Sequence, residues 1–119
     1  MKLKTAPITA DAMFRAFSDR TRLRILNLLR DGEKCVCDLQ AVLEVPQPKV
    51  SRHLSYLRRA GLVRARKEGL WSYYTLAPAR SAFHAKLLDC LTCCFTDVPE
   101  LAADAARIRR AGSPGCCEC

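Results

Sequence analysis

No apolar run in this chain is long enough to cross a bilayer, and the opening Met1 to Pro7 carries no hydrophobic stretch leading to a small-residue cleavage site. Neither a membrane span nor a secretory leader is therefore expected, and the chain reads as cytoplasmic. Histidine is scarce: His53 and His84 are the only two, too few for a histidine-rich zinc site. Acidic residues are missing altogether from Val45 to Lys67. Cysteine is missing from Asp38 to Asp89, although the chain has eight. There is no internal repeat, and 119 residues, half of them apolar, suit one compact domain.

The acid-free stretch is where the charge lies. It holds seven basic residues, Lys49, Arg52, Arg58, Arg59, Arg64, Arg66 and Lys67, within a chain of net charge +8. A segment of one sign repels itself unless a polyanion lies against it, which makes double-stranded nucleic acid the leading partner; a solvated helix face is the plainer alternative.

Periodicity orders the rest. Thr9 to Phe17 reads as a short helix, and Ser18 or Asp19 caps a second one carrying Leu23, Ile25, Leu26, Leu28 and Leu29, closed by Asp31-Gly32. A third helix is expected from Val36 to Leu43. Pro46 and Pro48 then force a tight turn, and a fourth helix from Gln47 to Ala60 buries Val50, Leu54 and Leu57 and stops at Gly61. From Leu62 the period changes to that of strands: Leu62 to Lys67 and Leu70 to Leu76, with Glu68-Gly69 between them, predict a β-hairpin. Two further helices follow, one with Phe83, Leu87, Leu91 and Cys94 near one stripe and one with Leu101, Ala105 and Ile108. Residues 1–112 are expected to form the domain, and 113–119 a flexible, cysteine-rich tail.

Two helices joined by a proline-containing turn, the second of them basic, and then a basic hairpin: this order predicts a mainly α (α+β) winged helix-turn-helix of five to six helices with one hairpin wing. Gln47, Lys49, Ser51, Arg52 and Ser55 are then placed to reach base edges, and Arg58, Arg59, Arg64, Arg66 and Lys67 to reach phosphates. His53 is read either as a phosphate contact or as a half-buried, hydrogen-bonded histidine. Trp71, Tyr73 and Tyr74 are expected to pack the inner face of the hairpin rather than to stack on bases.

The cysteines fall into three groups. Cys35 and Cys37 stand two residues apart; in a regular helix such side chains point about 200° apart, so one ion reaches both thiolates only if the backbone yields. Cys90, Cys93 and Cys94 have the i, i+3, i+4 spacing of a shared helix face, suited to a metal site of their own, to supplying a third ligand to Cys35 and Cys37, or to a buried seam. Cys116, Cys117 and Cys119 lie in the tail as possible extra ligands. Clustered thiols in a reducing compartment point to metal binding or redox sensing. Thiolates alone favour a soft, pyramidal ion such as trivalent arsenic or antimony, with cadmium or lead as alternatives. A thiol enzyme is not expected, because no base or substrate pocket accompanies the Cys90 to Cys93 spacing, and no catalytic cofactor is implied.

The stretches Cys35 to Leu39 (CVCDL), Gln47 to Leu54 (QPKVSRHL), Leu57 to Val63 (LRRAGLV) and Glu68 to Leu76 (EGLWSYYTL) together resemble the arsenic-responsive repressors of the ArsR/SmtB family. The resemblance spans roughly residues 10 to 80. It implies a homodimer paired through the first and last helices, bound to operator DNA and released by arsenite or antimonite, with Cys35 and Cys37 as the matching ligands. The family's motif continues to a third cysteine, and Gln40 stands at that place here. A thiol redox sensor on the same scaffold, or a cadmium, lead or zinc sensor, is the alternative reading.

Overall fold

The computed structural model describes residues 7–95 and 97–111, without the side chains of Cys93 and of residues 109–111. Asp19 opens the long core helix. Its side chain accepts a hydrogen bond from the Arg22 N–H, satisfying one donor of the first turn, and so separates α1 (Ala10–Ala16) from α2 (Arg20–Leu29). The apolar stripe of α2 is wide enough for Ile25, Leu26 and Leu28 to be almost fully buried. A two-residue strand, β1 (Lys34–Cys35), leads directly into α3 (Val36–Leu43). After a turn through Glu44 comes α4 (Gln47–Ala60), with Pro48 in its first turn, where no backbone N–H is required.

Helix α4 buries Val50, Leu54 and Leu57 against the core, as the i, i+4, i+7 spacing requires. Each such buried side chain contributes about 1.5–3 kcal/mol. The helix ends at Gly61, where φ is 90° and the N–H groups of Gly61 and Leu62 bond back to the carbonyls of Arg58 and Leu57. The wing follows as β2 (Val63–Glu68) and β3 (Trp71–Leu76), then α5 (Ala82–Cys93) and α6 (Glu100–Ala111).

Two expectations need correction. The hairpin turn is Gly69-Leu70 rather than Glu68-Gly69, since Glu68 pairs with Trp71. Gly69 has φ of 63°, and a two-residue hairpin loop needs that conformation at its first position. The sheet also has a third strand. β1 lies antiparallel to β3, giving the order β1-β3-β2, with Lys34 opposite Tyr74 and Cys35 opposite Tyr73. Two residues are too short to show a period, and neighbouring helices disguise them.

The described residues thus contain the six helices and the wing of a winged helix-turn-helix. Within α5, Leu91 is buried, but Phe83 is exposed and meets Phe14 of α1 edge-on at 5.4 Å between ring centroids, while Cys94 is the exposed C-cap. In α6, Leu101, Asp104 and Ile108 face inward. The expected break after residue 112, and the tail with Cys116, Cys117 and Cys119, lie outside the described residues.

Candidate effector site and nucleic-acid interface

The outward face of α4 carries the side chains expected to read DNA. Gln47, Lys49 and Arg52 are exposed, and Ser51 and Ser55 are half-buried on the same helix. Gln47 donates to Ser51 Oγ at 3.1 Å, and Arg59 to Ser55 Oγ at 3.0 Å, so both serines are already oriented by a neighbour one turn away. Arg58 and Arg59 occupy the last turn, where positive charge also complements the helix dipole.

His53 is not a solvent-facing contact. Its Nε2 lies 3.9 Å from Asp19 and its Nδ1 3.5 Å from the Arg22 guanidinium, and burial holds its pKa below the ordinary histidine value. It ties α4 to the start of α2. Arg22 does the same from the other side: it stacks at 4.1 Å over the Tyr56 ring and donates to the carbonyls of Ala16 and Arg15. Sequence reasoning passed over Arg22, because nothing in the polar face of α2 distinguishes one arginine from another.

On the wing, Arg64 and Lys67 are exposed, whereas Arg66 is held by acids. It bonds both Glu33 oxygens, at 2.8 and 2.7 Å, and Glu68 at 2.6 Å, and lies 4.7 Å from the Tyr73 ring centroid. Its charge is compensated within the chain. Trp71 is 39% exposed, so the expectation that it packs the inner face is not met; Tyr74, half-buried, does pack against the core.

The Cys35 and Cys37 sulfurs lie 3.0 Å apart. Their convergence has a local cause. Cys35 is not helical: it is the N-cap of α3, with φ −87° and ψ 162°, while Cys37 lies in the first helical turn. The extended backbone at Cys35 removes the 100° increments that would have set the two side chains on opposite faces, so both sulfurs are brought together without unwinding the helix. The Asp38 carboxylate joins them, with all three ligand atoms within 4.8 Å of one another. This is the group of three or more metal-ligating side chains found among the described residues. Asp38 was not expected from sequence, although its place beside Cys37 was a usable signal. Cys35 is buried and disulfide-bonded, so a thiolate at that position is produced by reduction.

Several links run from this pair to α4 and the wing. Cys35 pairs with Tyr73 of the wing, and Glu33, two residues before it, holds Arg66. A cleft of about 230 Å³ opens beside Cys37 and is walled by Val36 and Gln40 of α3, Gln47 of α4, and Leu70 and Trp71 of the wing. The other cysteines stand elsewhere: Cys90 is half-buried in α5 and Cys94 exposed at its end, while the Cys93 side chain lies outside the described residues. His84 is buried and accepts the Arg80 N–H through Nδ1.

Comparison with known proteins agrees with this architecture. Residues 19–65 match the family described as "Bacterial regulatory protein, arsR family". The chain is 49% identical over 78 residues to the "Arsenical resistance operon repressor" of Escherichia coli K12, which covers 65% of this chain and 67% of that protein. Among solved structures, HlyU from Vibrio cholerae N16961 superposes with a TM-score of 0.65 at 36% identity, covering 72% of this chain and 90% of that one. The homodimeric winged helix-turn-helix DNA-binding domain of a possible ArsR-family regulator from Mycobacterium bovis gives 0.58 at 29% identity, over 69% of this chain and 73% of that one. No helix among the described residues is long and apolar enough to cross a membrane. With its fold, its basic reading helix and its relatives in agreement, this chain is a DNA-binding transcriptional regulator and belongs to the ArsR family.

Proposed function

We propose that the chain is a cytoplasmic repressor that holds operator DNA as a homodimer and leaves it when arsenite or antimonite binds the thiolates of Cys35 and Cys37. The observation that carries this reading is the 3.0 Å approach of the two sulfurs at the start of α3. Soft trivalent arsenic prefers thiolates to carboxylate or imidazole. The relative named as an arsenical resistance operon repressor supports the choice of effector, and the homodimeric relative supports the assembly. In this reading residues 1–112 form the DNA-binding and dimerisation domain. Gln47, Lys49, Ser51, Arg52 and Ser55 face bases, and Arg58, Arg59, Arg64 and Lys67 face phosphates.

An ion that draws Cys35 and Cys37 into its own bonding geometry acts on β1 and on the first turn of α3 together. β1 is laddered to the wing, and α3 packs on α4, so the wing and the reading helix shift relative to each other. The effect required is modest, because loosening operator binding 100-fold takes about 2.7 kcal/mol of differential free energy. The test compares operator affinity of the reduced wild type and of Cys35→Ser/Cys37→Ser, with and without arsenite. Release of the wild type alone is expected; full release of the double variant removes the assignment.

A second reading has its own observation. Cys35 is disulfide-bonded, so oxidation rather than metal binding would reshape the same segment. Oxidant-driven release from DNA, with arsenite inert on the reduced protein, selects that reading.

A further inference from the structure

We propose that a cleft between α2 and α4 seats one backbone phosphate of DNA, with Arg22 and Arg59 as its guanidinium partners. This rests on the reading that α4 faces DNA and adds a contact from α2, outside the reading helix and the wing. The cleft, of about 420 Å³, is lined by Arg22 of α2 and by Arg52, His53, Ser55, Tyr56 and Arg59 of α4. Three of these six residues are arginines and none is acidic. Its charge therefore selects an anion.

Arg22 is held there as a fixed donor. Its Nε bonds the Ala16 carbonyl at 3.0 Å, Nη2 bonds the Arg15 carbonyl at 2.9 Å, Nη1 lies 3.5 Å from His53 Nδ1, and the guanidinium lies 4.1 Å from the Tyr56 ring centroid. A guanidinium has five N–H donors, so one on each Nη is left to give. Carbonyls, an imidazole and a ring face hold the group in place without cancelling its charge. Asp19 is the acid on this side, but it caps α2 by accepting the Arg22 backbone N–H at 3.0 Å. Arg24 and Arg66 differ, since both are paired with carboxylates.

Arg59 is steadied too, on Ser55 Oγ at 3.0 Å. Two oriented guanidinium forks match the oxygens of a phosphodiester, and because both are already held, less entropy is lost when the anion arrives. A phosphate gripped by α2 and α4 together fixes the angle at which α4 meets the groove, and it does so without reading sequence.

The test uses the full-length protein and the duplex it protects upstream of its own gene, with single phosphates replaced in turn by neutral methylphosphonates. Affinity is measured for the wild type, Arg22→Gln and Arg59→Gln, and urea denaturation checks that each variant folds. At the seated phosphate the replacement is expected to cost the wild type about tenfold or more, and each single variant only about threefold, because one arginine remains. If Arg22→Gln binds every duplex more weakly but keeps the full wild-type cost at every phosphate, Arg22 serves only to close the end of α1 and the proposal is overturned. If Arg22→Gln does not fold, Arg59→Gln decides: a residual cost at the phosphate it affects supports the Arg22 contact, and disappearance of that cost overturns it. If Arg59→Gln alters the cost at no phosphate, the reading of α4 as the DNA-facing helix falls together with the cleft.

Discussion

Arg24 of α2 grips the fully buried carboxylate of Asp104 in α6 through two hydrogen bonds, Nε to Oδ2 at 2.7 Å and Nη2 to Oδ1 at 2.9 Å. Arg107 adds a third donor at 3.1 Å, and Arg24 also reaches the carbonyl of Leu43, the last residue of α3, at 3.4 Å. The pair therefore docks α6 on α2 and on the helix that precedes the reading helix. The hydrogen bonds to Asp104 raise the Arg24 pKa above its ordinary value, so its charge is never in question. Asp104→Ala leaves a largely buried guanidinium uncompensated and is expected to cost about 3–5 kcal/mol in urea denaturation. The double replacement Arg24→Met/Asp104→Leu should recover most of that loss, because the desolvation cost of both charges disappears with them. A loss below about 1 kcal/mol for the single variant would mean that α6 is held by its apolar residues alone.

Acid should weaken the fold before any carboxylate is protonated. Both histidines have pKa values below the ordinary value of about 6.5, His84 through burial and the charge of Arg80, His53 chiefly through burial. Among the described residues, moreover, His84 Nε2 is buried without a hydrogen-bond partner. A depressed histidine pKa means that the unfolded chain takes up the proton first. Stability is thus fully present above about pH 6.5 and falls as pH drops below it. Asp19 and Glu33, also lowered, contribute in the same direction, but in the carboxylate range, at lower pH. Urea midpoints measured between about pH 7.5 and 5.5 should decline for the wild type and decline less for His84→Gln. An identical slope in both would remove His84 from the account.

The wing arginines should not be equivalent on DNA. Each phosphate neutralised contributes about 0.9 to the slope of log affinity against log salt. Arg64 is exposed, so Arg64→Ala should reduce the slope by about that amount per protomer. Arg66 already spends its charge on Glu33 and Glu68, and Arg66→Ala should change the slope less. Glu33→Gln should strengthen non-specific binding by releasing Arg66. Equal slopes for the two arginine variants would show that DNA displaces the acids.

What the sequence disclosed about this site, and what it hid, divides along the range of the interaction. The α4 face was legible because Pro46, Pro48, the Val50-Leu54-Leu57 spacing and Gly61 are local signals, and all of them act within one helix. The convergence of Cys35 and Cys37 was not. It depends on Cys35 being extended, which follows from a two-residue strand paired with Tyr73, nearly forty positions away. Arg66 reads as a DNA contact until Glu33 is brought beside it, and of the two readings open for His53, α2 selects the half-buried, hydrogen-bonded one. Asp104 was hidden by the opposite expectation, that a carboxylate on an amphipathic helix faces water.

Gly61 closes the reading helix with φ of 90°, a conformation that L side chains rarely adopt. Space is not the obstacle. A Cβ built there would meet Arg80 and Ile8 side-chain atoms at 3.5 Å, ordinary contact distance. The cost of Gly61→Ala is therefore backbone strain alone, about 1–2 kcal/mol, and Gly61→Asn should cost less, because its short polar side chain tolerates the left-handed region. The two bonds made here by the Gly61 and Leu62 N–H groups fix the direction in which the chain leaves α4 for the wing. Strain in Gly61→Ala should thus weaken operator binding as well as stability, with Gly61→Asn intermediate in both. If alanine and asparagine prove equally costly in urea, the loss comes from crowding against Arg80 rather than from φ, and Arg80→Ala should then restore both variants.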